Sequence, residues 1–302
     1  MLHSTGKFAS PSRKLFGKMP YRIATVSFLN CLPLVEWFTT PEGSARVTLS
    51  SDLPSRLSAV LATDRADVAL LPTVEILRGH AAGIIGGSGI ACRGAVDSVK
   101  LYHRGPLAGL KRVAVDRGSR TSVALLRILL AETADNAPVF AEVTPQPGRL
   151  PRPGEGVLVI GDRCFAFDRW LRSDAEAAHA VSALDLGQAW FEETGLPFVF
   201  AAWAVAPDLP TRIGLDGIRE LGELLAAARD WGLARVPALA AREAGAGCLG
   251  PGGEATAAAL EYYFSHSLRY RLGDEELAGM RRFRDLCAAH GLMEPTAGPV
   301  QM

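Results

Sequence analysis

The eight consecutive apolar residues Phe198-Val199-Phe200-Ala201-Ala202-Trp203-Ala204-Val205 constrain this chain more than any other segment. A strand with one face in water alternates polar and apolar side chains, whereas a run with no polar position is covered on both faces and crosses a core. Gly195-Leu196-Pro197 turns into it, and a helical pattern follows. An interior strand needs neighbours, and the chain before it supplies them.

Tyr21 to Val26 reads as a strand, Ser27-Phe28-Leu29-Asn30-Cys31-Leu32-Pro33 as a turn, and Pro33 suits the first position of a helix through Phe38. Ser51-Asp52-Leu53-Pro54 opens a second helix with Leu57, Val60 and Leu61 on one face, before a buried strand from Asp67 to Pro72. Alternation of this kind implies parallel strands with right-handed crossovers. Thr73 begins another short helix, Gly83 to Gly89 surrounds apolar pairs fit for a strand, and Ser98 to His103 alternates as one. Arg112 to Asp116 is a short strand leading through Ser119-Arg120-Thr121-Ser122 into a long apolar helix. A loop from Thr144 to Gly156 with four prolines and three glycines precedes the strand Val157 to Asp162, and Asp185-Leu186-Gly187 caps a helix containing Trp190.

From Arg212 onward only helices are expected: Ile213 to Leu233, an Ala/Gly-rich stretch to Gly253, Ala255 to Tyr270, and Asp274 to His290. The order predicts an α/β fold of two lobes, one interrupted by the other, with C-terminal helices. Lobe 1 is expected to comprise residues 19–98 and 203–302 and lobe 2 residues 99–202, with crossings near Ser98 to His103 and near Phe200 to Val205. A ligand cleft is expected between the lobes, at the carboxyl ends of the strands.

Composition narrows the function. Lys+Arg and Asp+Glu both number 32, which leaves no basic excess for nucleic acid. The cysteines Cys31, Cys92, Cys164, Cys248 and Cys287 are scattered, with no C-x-x-C pair and no His at ligand spacing, so no metal is expected. Residues 1–18 form a basic leader that is expected to be disordered and lacks the apolar core of a secretory signal, which points to the cytoplasm. No uninterrupted apolar stretch reaches the roughly 18 residues of a membrane span. G-x-G-x-x-G, Walker and G-x-S-x-G motifs are absent, so no cofactor and no Ser triad are expected.

Neutral donors remain. Ser119, Thr121 and Ser122 at a helix start, with Arg120 among them, suit a carboxylate, because free amides, hydroxyls and the helix dipole point the same way there. Plain helix capping by the hydroxyls and an exposed or ion-paired Arg120 are the alternatives. Asn30 is the odd polar residue of an apolar loop and offers a donor and an acceptor, or else bonds its own backbone as a turn former. Asp162 ends a buried strand and is either a cleft residue or a helix cap. Thr73 and Ser98 are further neutral donors, and Glu75 is a first-turn glutamate or a base. Trp37, Trp190 and Trp203 read as core, and Cys31 as a small buried thiol.

Four ordered segments, Ser27-Phe28-Leu29-Asn30-Cys31-Leu32-Pro33-Leu34, Ser119-Arg120-Thr121-Ser122, Ile160-Gly161-Asp162 and Asp185-Leu186-Gly187 continuing through Thr194 to Trp203, together resemble the chorismate dehydratase family. The resemblance runs from Tyr21 to Val205 and weakens towards Tyr270-Arg271-Leu272-Gly273. It implies a type II periplasmic-binding-protein-like fold used as a cytoplasmic enzyme of the futalosine route to menaquinone. That enzyme eliminates water from chorismate to give 3-[(1-carboxyvinyl)oxy]benzoate. On this reading Asn30 is catalytic, and Ser98, Ser119, Arg120, Thr121, Ser122, Thr73 and Asp162 bind substrate. The rivals are a solute-binding protein for a small carboxylate, a ligand-sensing domain, and the sister enzyme dihydroxynaphthoate synthase, whose Ser-Pro-Cys-type N-terminal segment is absent here.

Overall fold

The protein, represented by a computed structural model, is described over residues 19–116, 118–131, 137–247 and 256–294. The leader 1–18, Cys248 and part of the Ala/Gly-rich stretch fall outside those residues.

The chain begins with β1 (Tyr21–Thr25), α1 (Leu32–Val35), α2 (Pro41–Ser44), β2 (Val47–Ser51), α3 (Leu57–Ala62), β3 (Val68–Pro72), α4 (Thr73–Leu77) and β4 (Gly83–Cys92). There follow β5 (Val99–His103), β6 (Arg112–Val115), α5 (Thr121–Ala131), β7 (Val139–Glu142), β8 (Glu155–Ile160), α6 (Arg163–Ser173), α7 (Ala175–Ala180), β9 (Ser182–Asp185) and α8 (Leu186–Thr194). The last part comprises β10 (Phe198–Val205), α9 (Leu209–Leu233), α10 (Val236–Gly245), α11 (Ala257–Tyr262), β11 (Arg269–Arg271) and α12 (Asp274–Ala289).

Two sheets result: a six-stranded one in the order β11-β4-β10-β3-β1-β2 and a five-stranded one in the order β7-β6-β8-β5-β9. In the first, β1 is parallel to both β2 and β3, while β10 runs antiparallel between β3 and β4. In the second, β6 is parallel to β7 and β8, while β5 is antiparallel to β8 and β9. The carboxyl ends of β1, β3, β6 and β8 therefore supply the loops from which a site can be assembled.

The apolar run that dominates the sequence is β10, an interior strand whose Trp203 is wholly buried. Its place in the first sheet corrects the expected crossing at Phe200 to Val205: a boundary between 202 and 203 would cut a strand bonded along its length to β3 and β4. The chain leaves the first sheet between Cys92 and Val99 and returns through α8, before Phe198. Asp185 ties the two connections together. Its carboxylate accepts from the amides of Val96 and Asp97 at 3.0 and 2.8 Å and from those of Gly187 and Gln188 at 2.9 and 3.1 Å. A residue read as a helix cap thus also staples both strands of the hinge.

Further elements differ from expectation, among them the strands β7 and β9, which the sequence pattern does not mark. The edge strand β2 was not anticipated, and the helix expected from Ala255 to Tyr270 breaks after α11 into a π-turn at Tyr263–Ser267, followed by β11. Three residues with only Tyr270 buried are too short to show an alternation, so pairing with β4 decides their conformation. Near the site, α9 packs unusually close to α1: a Cβ on Gly232 would lie 2.1 Å from the Pro33 carbonyl oxygen. This fixes from behind the short helix that follows Asn30. Among the described residues no helix is long and apolar enough to cross a membrane.

Candidate functional site

Asn30, Ser98, Ser119, Arg120, Thr121 and Ser122 line one cavity between the two sheets. The rest of its wall is largely apolar, with Phe28, Leu70, Ile90, Ile160 and Phe200 prominent. Polar atoms facing such a wall are poorly solvated, which strengthens any hydrogen bond they make to a ligand.

The wall from the second lobe is the start of α5. Asp116 shapes the approach, accepting from the Gly118 amide at 2.8 Å and pairing with Arg163 at 2.7 Å. The first turn of a helix leaves backbone amides without intrahelical partners, and these lie beside the hydroxyls. Ser119 is the most telling, because its Oγ is buried, lines the cavity and has no hydrogen-bond partner among the described residues. A native structure seldom leaves a buried hydroxyl unpaired unless a ligand or water meets it. The Thr121 oxygen accepts from the Val74 amide at 3.2 Å, linking the starts of α5 and α4 across the cleft. Arg120 is exposed and is the one cationic side chain among the described lining residues, which include no acid.

The opposite wall is the loop between β1 and α1. Asn30 sits in a single 3₁₀ turn, Leu29–Cys31, where its Oδ1 accepts from the Cys31 thiol at 3.2 Å and its amide nitrogen is left to donate elsewhere. Burial pushes the Cys31 thiol up to about 12, so it is a packed neutral group and no nucleophile. Ser98, buried at the entry to β5, accepts at its carbonyl from the Gly161 amide at 2.8 Å. Gly161 adopts φ +66°, and a Cβ there would meet the Phe28 ring at 3.1 Å. The close approach of these two loops therefore depends on glycine at 161.

Two predicted binding residues lie elsewhere. Thr73 is fully buried, donates its hydroxyl to the Val199 carbonyl at 2.7 Å and is absent from the cavity lining; it joins α4 to β10. Asp162 faces a separate hollow on the far side of the Phe28 loop, together with Glu243, and its oxygens accept from the Leu29 amide at 3.1 and 3.3 Å. It makes no cap bond to its own helix. Glu75 pairs with Arg78 at 3.1 Å and His80 at 2.7 Å, outside the cavity lining. Sequence reasoning missed Phe28 and Gly161 as site-forming residues, although the pairing of Gly161 with the strand end before it was a signal of close backbone approach.

The profile of a family described as menaquinone biosynthesis matches residues 21–289. The chain belongs to this menaquinone-biosynthesis family. Over 275 residues it is 31% identical to the chorismate dehydratase of Thermus thermophilus, covering 88% of this chain and 94% of that protein. Among solved structures, a protein from Archaeoglobus fulgidus matches with a TM-score of 0.62 at 13% identity, covering 91% of this chain and 98% of that one. A Candida albicans gene product, described as having the generic periplasmic binding protein fold, matches with a TM-score of 0.57 at 12% identity and 92% coverage of both chains. At such identities the likeness is one of fold. This menaquinone-biosynthesis protein thus has the two-lobed periplasmic-binding-protein architecture that the resemblance implied.

Proposed function

We propose that this protein is a chorismate dehydratase, converting chorismate to 3-[(1-carboxyvinyl)oxy]benzoate and water in the futalosine route to menaquinone, in the cytoplasm and without metal or organic cofactor. The observation that carries the reading is the 31% identity to a chorismate dehydratase over nearly the full length of both proteins. The cavity agrees with it in chemistry: hydroxyls, a helix start and Arg120 suit the two carboxylates of chorismate, and the apolar wall suits its ring.

Elimination breaks the C3–H and C4–O bonds and forms the last double bond of an arene. The C3 proton is acidified through the ring double bond by the ring carboxylate, so donors around that carboxylate stabilise the charge that develops there. No Asp, Glu or His is among the described lining residues. The substrate's own enolpyruvyl carboxylate is therefore assigned the C3 proton, with Asn30 holding that side chain against C3; the C3–C4 double bond forms as the C4–O bond breaks, and the departing oxygen takes the proton from the carboxylic acid and leaves as water. The cavity measures about 80 Å³, below the roughly 300–1,000 Å³ of small-molecule pockets, so the two lobes must part somewhat to admit the ring.

Incubation of the purified protein with chorismate, followed by chromatography for the aromatic enolpyruvyl ether, tests the reading. Stoichiometric aromatisation of many equivalents supports it. Saturable binding without product supports a solute-binding role instead.

A further inference from the structure

We propose that Asp162 is a positioning residue for Asn30, a clasp by which the second lobe holds the Asn30 turn in its working pose when the cleft is closed. The proposal rests on the dehydratase reading of the cavity. Asp162 stands at the N-cap position of α6, yet its side chain makes no bond to that helix. Both oxygens turn instead to the Leu29 amide, 133 residues away and on the other lobe. Leu29 precedes Asn30 in the same single 3₁₀ turn, so a bond that fixes the Leu29 amide fixes the approach of the next residue. The Phe28 ring against Gly161 holds the other side of the same contact.

The surroundings argue that the charge itself matters. Arg163, the neighbouring cation on α6, is engaged with Asp116, and Glu243 of α10 faces Asp162 from the first lobe as a like charge. The buried Cys31 and Tyr263 are the other titratable groups that sense it. No ion pair to Asp162 is present among the described residues, and burial pushes its carboxyl up to about 6. A bond that only joined the lobes would be made with less desolvation by a neutral side chain. The ionised group gives a stronger, charge-assisted hold on the amide. Another cross-lobe bond, Val74 amide to Thr121, uses such a neutral oxygen.

The test compares Asp162→Asn and Asp162→Ala with the wild type, alone and combined with Asn30→Ala. The wild-type kcat is expected to fall as pH drops through about 6, as the carboxylate takes a proton. Asp162→Asn should be slower by about tenfold at pH 7.5, the difference between a charge-assisted and a neutral hydrogen bond. Its kcat should be flat from pH 5 to 8, with KM little changed, and Asp162→Ala should be slower still. On an Asn30→Ala background the Asp162 substitutions should cost almost nothing further, because they act through Asn30. Wild-type kcat with an unchanged pH profile in Asp162→Asn, or losses that multiply with Asn30→Ala, would overturn the proposal. Hydrogen exchange at the Leu29 amide supplies a readout independent of turnover. Faster exchange in Asp162→Ala is expected and unchanged protection overturns the clasp, whereas a wild type inactive on chorismate overturns the dehydratase reading alone.

Discussion

The two walls of the cavity are built from different materials. The second lobe contributes the start of α5, where Ser119, Thr121 and Ser122 are buried and Arg120 reaches solvent. The first lobe contributes a loop in which Asn30 is the one polar lining side chain, set between Phe28 and the packed thiol of Cys31. A wall of fixed donors at a helix start is suited to gripping anions, and it does so with or without a reaction. A single carboxamide on a tightly supported turn holds one part of a ligand in one orientation. The proposed function gives grip to the α5 wall and reaction geometry to the Asn30 wall, and kinetics can separate them, because uniform binding appears in KM and transition-state positioning in kcat.

Asn30→Ala is expected to have the largest effect, a fall in kcat of about 100-fold or more with KM changed only a few-fold. A loss confined to KM would move Asn30 to the gripping wall. Next comes Ser119→Ala, which removes the unpaired buried hydroxyl and should raise KM by about 10-fold or somewhat more, in line with a hydrogen bond to a charged group. Calorimetric titration with chorismate or its product checks that figure directly. Arg120→Ala should raise KM only a few-fold, and 0.5 M salt should erase most of the difference from wild type, since an exposed cation is screened.

Stability sharpens the comparison from another side. The Asp162 carboxyl titrates near 6 in the folded protein against about 3.9 unfolded, so its contribution to stability is fully present below about pH 4 and is lost as pH rises through 6. Denaturant titration should therefore find Asp162→Asn more stable than wild type at pH 7.5, by up to about 2 kcal/mol, with the gap closing towards pH 4. A more stable but slower variant is what a charge kept for positioning would leave behind. Smallest in its effect on activity is Thr73→Val: loss of the bond to Val199 should lower stability by about 1 kcal/mol while leaving kcat and KM near wild type.

Thr73 and Ser119 also show where sequence reading reaches its end. Both are hydroxyl residues at or just before a helix that follows a buried strand, and nothing local separates them. The difference is tertiary: a β10 carbonyl lies 2.7 Å from the Thr73 hydroxyl, whereas no acceptor or donor among the described residues meets that of Ser119. Asp162 was legible as a residue at the cleft end of β8 but not as a partner of Leu29, because the separation of 133 residues is closed only when the lobes meet. β10 was legible because covering both faces leaves no polar position, yet the same run cannot say which sheet holds it, and the crossing was misplaced accordingly. β11 left no trace, being three residues recruited by the edge of β4. The succession of β1, β3, β5, β6, β8 and β10, the α5 start and the Asn30 turn were readable from patterns a few residues long. The hinge staple at Asp185 and the Asp162 clasp depend on contacts between segments far apart in the chain.

In the proposed mechanism the cavity dehydrates chorismate with no carboxylate or imidazole from its described lining, the substrate's own side chain accepting the C3 proton. Turnover of chorismate measured beside an analogue with a methyl group in place of the enolpyruvyl carboxylate tests it most directly. Rapid aromatisation of chorismate, with binding but no aromatisation of the analogue, is the predicted result; aromatisation of both at similar rates, or of neither, would contradict it.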